Sequence, residues 1–249
     1  MKFSVVIPVL NERACLAATI DSVRAAIPDA QIIAIDGGSV DGSVEWLQGQ
    51  PDICFGTSVR GKGPQQNAGA ALATGDVLVF VHADCQLPSD AGERLREQLA
   101  DAANVGGCFY VRFAEPRPLS LHILAIGMNL RARILRRSFG DQVLFIRRAA
   151  FKRIGGFPDW PLFEDYELVR RMKRVGLFAV ITSPATISAR RFLRYGVWRT
   201  VARVFVLQSA YYLGIPPARL KHWFADVRPH LKQTSEDAQN PSQHECEGD

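Results

Sequence analysis

The chain has 249 residues, 47% of them hydrophobic and 22% charged, a composition that suits a folded globular protein with a sizeable core. It excludes a disordered chain, a collagen-like repeat and a disulfide-stapled miniprotein. The net charge of +5 hides a division: residues 1–105 carry 7 Lys+Arg against 13 Asp+Glu, residues 106–232 carry 23 against 7, and residues 233–249 carry five acids and no Lys or Arg. An acidic front half and a basic back half need separate causes.

The first half alternates strand and helix patterns. Phe3–Val9 is an apolar, β-branched run that predicts a buried parallel strand. Leu16, Ile20, Val23 and Ile27 then recur at helical spacing, predicting a helix over Arg13–Ala26 that stops before Pro28. Further strands are expected at Gln31–Ile35, Ile53–Ser58 and Asp76–Val81, with helices from Val44 and over Gln65–Ala73. Repeated β-α units of this length imply an α/β fold, with a mostly parallel sheet flanked by helices. Ligands of such sheets sit beyond the carboxyl ends of the strands. The polar residues gather there: Asn11 and Glu12, Asp36 and Ser39, Arg60 and Lys62, then His82 and Asp84 follow four successive strands.

The second half is less regular. Gly107–Phe113 and Val143–Ile146 read as strands, and Leu119–Leu135, Tyr166–Val175 and Arg194–Leu213 as helices. Residues 233–249 are polar and acidic, which predicts disorder. The five cysteines (Cys15, Cys54, Cys85, Cys108, Cys246) form no CxxC pair, so neither a zinc site nor a disulfide framework is expected, and a reducing cytoplasm suits them. The apolar start lacks a small-residue cleavage site and reads as a strand, not a signal peptide. The longest uncharged stretch, Val204–Ala218, falls short of the roughly 20 residues of a membrane span.

Four segments in fixed order carry a resemblance: VVIPVLNE (5–12), DGGSVDGS (36–43), GDVLVFVHADCQLP (75–88) and FEDYELVRRMKRVG (163–176), with RGKGPQQNAGAALATGD (60–76) beside them. Together they span most of residues 3–192 and resemble the family 2 glycosyltransferases, which have the GT-A fold and use nucleotide-activated sugars. With HAD in place of the usual DxD, the chain looks like a small bacterial subgroup. The resemblance implies one GT-A domain over 1–232: a nucleotide-sugar half (1–105), an acceptor and catalytic half (106–192) and C-terminal amphipathic helices (193–232).

It also implies residue roles. Pro8, Asn11 and Glu12 form the turn that holds the nucleoside, with Pro8 ending the strand sharply. Asp36 recognises the base, and Gly38 and Ser39 belong to the loop beside it. Arg60, Lys62, Gln66 and Asn67 lie near the diphosphate, base or sugar. His82, Ala83 and Asp84 replace DxD, so Asp84 serves a divalent metal, Mn²⁺ or Mg²⁺, and His82 is a ligand, a neighbour of one or a ribose contact. An acid of Glu164–Asp165 is the general base, Asp165 first and Glu164 second, and Arg190 or Arg191 meets the diphosphate or the acceptor. Each has a plainer alternative: Asn11, Glu12, Asp41 or Ser43 as helix caps, a solvated basic loop, and helix-dipole pairing such as Glu167–Arg171.

The expected activity is inverting transfer from a nucleoside diphosphate sugar, UDP-sugars favoured, to a hydroxyl acceptor that is lipid-linked, anionic or neither. A nucleotidyltransferase and a non-catalytic nucleotide-sugar-binding protein are the rivals. Arg199 and Arg203 share a stripe of the Arg194–Leu213 segment, and Arg219, Lys221, Trp223 and Phe224 follow, mixing cations with aromatics. That suits a helix lying in a membrane interface as well as one packed on the domain. The expected location is accordingly cytoplasmic, with the cytoplasmic membrane face open to it. No nucleic-acid motif is present.

Overall fold

The computed structural model describes residues 1–114, 118–138 and 140–220. In chain order the strands are β1 Phe3–Val9, β2 Gln31–Asp36, β3 Ile53–Thr57, β4 Val77–Phe80, β5 Cys85–Gln86, β6 Asn104–Phe113, β7 Leu144–Arg147 and β8 Leu177–Ile187. The helices are α1 Arg13–Ala26, α2 Ser43–Gln48, α3 Lys62–Leu72, α4 Ala91–Gln98, α5 Leu119–Leu135, α6 Arg148–Arg153, α7 Glu164–Met172, α8 Arg190–Tyr195 and α9 Val197–Tyr212.

The strands form one sheet in the order β3-β2-β1-β4-β7-β6-β8-β5. The β3-β2-β1-β4 half is parallel throughout, as the alternating β-α units imply. β7 enters antiparallel to both β4 and β6, and β6 runs parallel to β8. One apolar layer forms on each face of the sheet: Leu16, Ile20, Val23 and Leu95 cover one, and Phe151, Leu168 and Met172 the other. This is the α/β architecture expected from the sequence.

Three local readings need correction. Pro8 does not end β1, which runs on to Val9 in register with β2. The β1–β4 ladder stops at Val6↔Phe80, so Pro8 lies where β1 has a partner on one side only and its missing N–H is tolerated. The helix expected from Gln65 starts three residues earlier, at Lys62, because Pro64 is acceptable in a first turn. The segment 194–213 is not one helix: Gly196, at φ 83°, divides α8 from α9. α8 itself starts at Arg190, four residues before the expected helix.

β8 was not expected, since a Pro inside a run argues against a strand. A register shift, from Phe109↔Ile181 to Tyr110↔Pro184, bulges Thr182 and Ser183 out and lets pairing resume. Beyond that bulge β6 and β8 run on past the end of β7 and carry the chain to Ser188 and Arg190.

α3 sits unusually close to the sheet. A Cβ on Gly69 would lie 2.3 Å from Val6 Cγ1, so only glycine lets this helix settle. The close approach seats Gln65, whose Nε2 donates to the carbonyls of Val9 (2.7 Å) and Ile35 (2.8 Å). One buried amide therefore ties together the carboxyl ends of β1 and β2. Gly69→Ala should overpack this contact and cost about 1–3 kcal/mol, read as a thermal midpoint lowered by several degrees. An unchanged midpoint would show that α3 can move outward freely.

Candidate active site

The loops beyond β1 and β2 are laced together by side chains from both. The Asn11 N–H donates to Ser39 Oγ (2.8 Å), the Val40 N–H to Asn11 Oδ1 (2.8 Å), and the Arg13 N–H to Asp41 Oδ2 (2.9 Å). Asp36 is buried and accepts from the N–H groups of Gly38 and Ser39. Asn11, Asp36, Gly38 and Ser39 thus shape the turn that presents Glu12. Glu12 itself is not a side-chain cap for α1. Its carboxylate reaches across the molecule.

There it meets Arg190. The guanidinium Nη2 lies 2.5 Å from Glu12 Oε2 and 3.1 Å from Asp84 Oδ2, while Nε donates to Ser188 Oγ. One arginine from the far end of the chain bridges the two acids that follow β1 and β4. Burial pushes the Glu12 carboxyl above the ordinary carboxylate range, with Asp84 adding to it and the Arg190 bond opposing it. The Arg190 guanidinium is held above its usual value, first by its bond to Glu12.

Behind this pair lies a second group of charges. His82, Asp84, Asp141, Ser188 and Arg191 line one small pocket. Burial, followed by Lys62, lowers His82 to about 4, so the ring is neutral at ordinary pH, and among the described residues its buried Nε2 has no hydrogen-bond partner. Burial alone would raise Asp141, yet the surrounding cations, led by Lys62, hold it below the usual carboxylate range. Ala83 contributes its carbonyl, which takes the Thr19 hydroxyl and fixes the His82–Asp84 segment against α1.

Lys62 links this pocket to α7. A Cβ on Gly63 would lie 2.9 Å from the Pro158 carbonyl and 3.7 Å from Glu164 Cβ, so the first turn of α3 presses directly on the segment that opens α7. Glu164 and Asp165 stand in the first turn of α7, which starts two residues earlier than the sequence pattern suggested. Burial first, then the neighbouring Asp165, raise Glu164 to about 7, with Lys62 opposing. Glu167 instead lies buried against Arg170 and Arg171 (2.6 and 2.9 Å), the expected i,i+3 and i,i+4 pairing. It belongs to the scaffold.

The backbone is strained at the same places. Among the described residues, four non-glycine residues have positive φ: Asn11, Arg136, Val143 and Phe163. Three of these adjoin the group: Asn11 precedes Glu12, Val143 follows the Asp141 turn, and Phe163 precedes Glu164. Such conformations persist where the surroundings impose them, and they concentrate at functional sites.

Other expected site residues take different roles. Asn67 is committed to the turn at 155–157, donating to the Phe157 carbonyl and accepting its N–H (2.9 and 3.0 Å). Gln66 is buried with an unpartnered Oε1, and Arg60 stays on the exposed loop before α3. Arg191 lines the pocket beside Arg190. Two residues enter that had no individual site role: Asp141, whose Gly140-Asp141-Gln142 segment the sequence marks only as resembling an acceptor-side segment of the family, and Gln65, whose role depends on the depth of α3. A larger cavity of about 170 Å³ lies between α5 and the β6–β8 extension. None of the expected site residues lines it, and in it the Asn129 amide is bonded to the Val111 backbone and Arg112 to Thr186.

Among the described residues no three His, Cys, Asp or Glu side chains gather into a metal cage. In the small pocket Asp84 and Asp141 carry carboxylate oxygens and His82 a neutral ring nitrogen, not gathered as a self-contained metal centre, which fits an ion that completes its shell with ligand phosphates.

Comparison with known proteins bears on the family and the fold. The family model described as "Glycosyl transferase family 2" matches residues 4–155. A "PGL/p-HBAD biosynthesis glycosyltransferase" of Mycobacterium tuberculosis is 28% identical over 166 residues, 62% of each chain. An "undecaprenyl-phosphate 4-deoxy-4-formamido-L-arabinose transferase" of Aeromonas hydrophila is 34% identical over 116 residues, 42% of this chain and 35% of that one. The match therefore spans less than two thirds of these relatives' length. Among solved structures, S. aureus TarS 1-349 in complex with UDP has a TM-score of 0.61 at 16% identity, covering 76% of this chain and 60% of TarS. The mannosyltransferase PcManGT of Pyrobaculum calidifontis, in complex with GDP-Man and Mn²⁺, has a TM-score of 0.57 at 21% identity, covering 91% and 69%. Both likenesses establish the fold.

Glu164 makes this site measurable without a substrate. Its folded pKa lies above the unfolded value, so the folded state binds the extra proton and stability falls as pH rises from about 4.5 to about 7. Glu164→Gln should remove that loss, on the order of 2–3 kcal/mol. Its midpoint should exceed the wild type by several degrees near pH 8 and converge with it near pH 4. Parallel pH profiles would contradict the buried, raised carboxyl.

Proposed function

Since the chain belongs to glycosyl transferase family 2, we propose that it moves a sugar from a nucleoside diphosphate sugar to a hydroxyl acceptor, with a UDP-sugar as the first choice of donor. The observation that carries the reading is the convergence of Glu12, Asp84 and Arg190 at one sheet edge, with Lys62 and Asp141 joining them to Glu164 and Asp165. Relatives named as glycosyltransferases and structural neighbours holding UDP or GDP-Man support it.

Each end of the site has its own task. Glu12 has the acceptor oxygens for ribose hydroxyls, and the turn built by Asn11, Asp36, Gly38 and Ser39 gives the nucleoside a rigid wall. Lys62, Arg190 and Arg191 are the cations for the diphosphate, where negative charge develops as the bond from the sugar C1 to the phosphate oxygen breaks. The acceptor hydroxyl attacks C1 from the opposite side, inverting the centre, and its proton passes to a carboxylate. Asp165 takes that proton by match to the family motif. Glu164, raised towards the operating pH, is the neighbour that tunes it or replaces it.

A divalent ion on Asp84, with His82 as nitrogen ligand or near neighbour, would add positive charge at the departing diphosphate. The nitrogen donor favours Mn²⁺ over Mg²⁺. The cations of the back half suit an anionic or lipid-linked acceptor, met at the cytoplasmic face of a membrane.

Asp165→Asn should lower turnover by about 10²–10⁴-fold with nucleotide affinity retained. Should Glu164→Gln suffer that loss and Asp165→Asn not, the base is Glu164. Asp84→Ala should lose turnover and any Mn²⁺ effect on UDP affinity. Equal UDP affinity with and without Mn²⁺, together with an active Asp84→Ala, would overturn the metal assignment.

A further inference from the structure

α5 is apolar on two opposite sides. Leu121, Ala125, Met128 and Ala132 face inward and are buried. Leu119, Ile123, Ile126, Leu130 and Ile134 recur at the same helical spacing on the other side, and they are exposed by 73, 48, 54, 52 and 66%. A helix apolar all round is ordinarily covered on both sides. Among the described residues, none buries this outer row. Isolated exposed leucines are common, but a row of five along 17 residues is a contiguous patch of the kind that marks an interaction surface.

The charge around the row is one-sided. Residues 118–138 and 190–220 contain ten arginines and no Asp or Glu. At the end of α5, Arg133, Arg136 and Arg137 are exposed, and Arg137 reaches Tyr212 Oη of α9 (2.9 Å), which joins the ends of the two helices. α9 repeats the pattern, with Trp198, Phe205 and Tyr212 seven residues apart and exposed, and Arg199 beside them. Neither helix is long and apolar enough to cross a bilayer.

We propose that the outer face of α5, with the exposed aromatic row of α9, seats the protein on an anionic lipid bilayer. The apolar row enters the boundary between headgroups and acyl chains, and the arginines meet the anionic headgroups. The inner face of α5 stays packed on the domain, so the helix lies on the membrane without leaving the fold. A protein partner of this composition would need a matching acidic, apolar groove. A second copy would bring arginine against arginine, and an anionic bilayer supplies both features at once. The proposal is independent of the donor chemistry, so its failure leaves the transferase reading standing.

The test is co-sedimentation of the full chain with vesicles of phosphatidylcholine alone and of phosphatidylcholine mixed with phosphatidylglycerol, at low and high salt. Binding to the mixed vesicles should be stronger by on the order of tenfold and weaken in high salt. Ile126→Glu with Leu130→Glu, both exposed, should reduce it by on the order of tenfold or more while the thermal midpoint holds. Arg133→Gln with Arg199→Gln should remove the preference for phosphatidylglycerol. Absence of vesicle binding, or binding unchanged in the Glu variant, overturns the proposal. So does a dimer in light scattering that the Glu variant dissolves, which would assign the face to a second copy.

Discussion

The bridge from Arg190 to Glu12 and Asp84 is the interaction on which the site depends. Glu12 and Asp84 follow adjacent parallel strands, so the sheet brings two carboxylates to one edge whatever their chemistry. Burial first, and then the charge of Asp84, push the Glu12 carboxyl towards protonation. The guanidinium, fixed by Ser188 and by the first turn of α8, offsets that repulsion. It also joins the two halves of the chain: residue 12 meets residue 190 because the end of β8, paired with β5 through Cys85↔Ile187, carries the chain to Ser188 and Arg190 beside Asp84. The acid-rich front and base-rich back are thus held together at the site itself.

The deeper charges follow the same logic with less solvent. The charge of Lys62 opposes the burial of Asp141 and of Glu164 alike, and His82 stays neutral beside them because burial and Lys62 both oppose its protonation. None of this would be stable on a loose scaffold. Gly69 and Gly63 let α3 press onto both the sheet and the start of α7, and Gln65 closes the strand ends beneath them. Strain at Asn11, Val143 and Phe163 is the local consequence of aiming polar groups from three separate segments at one place.

Much of this was legible in the residues. β1 and α1 fall where apolar periodicity puts them, because a parallel core strand and an amphipathic helix leave strong, local patterns. The convergence of polar residues past the strands was legible too, since a parallel sheet fixes which end each strand presents. β8 was hidden by Pro184, and its pairing depends on a bulge that only β6 explains. Asn67 looked like a ligand-binding amide but holds the turn at 155–157, while neighbouring Gln65 looked ordinary and holds two strands. Those roles depend on how deeply α3 sits, and a one-dimensional pattern does not encode depth. Lys221, Trp223, Phe224 and the acidic tail lie outside the described residues. The basic excess also divides: Arg190 and Arg191 lie at the candidate site, while Arg133 and Arg199 are exposed away from it.

The central claim is that a nucleoside diphosphate sugar binds at the edge where Glu12 and Asp84 meet Arg190. The most direct measurement is calorimetric titration of UDP-, GDP- and dTDP-sugars, in Mn²⁺, into the wild type and Glu12→Ala. Saturable binding of one donor class by the wild type, weakened on the order of tenfold or more in Glu12→Ala, is the predicted result. Absence of binding for every donor, or equal affinity in the two proteins, would contradict it.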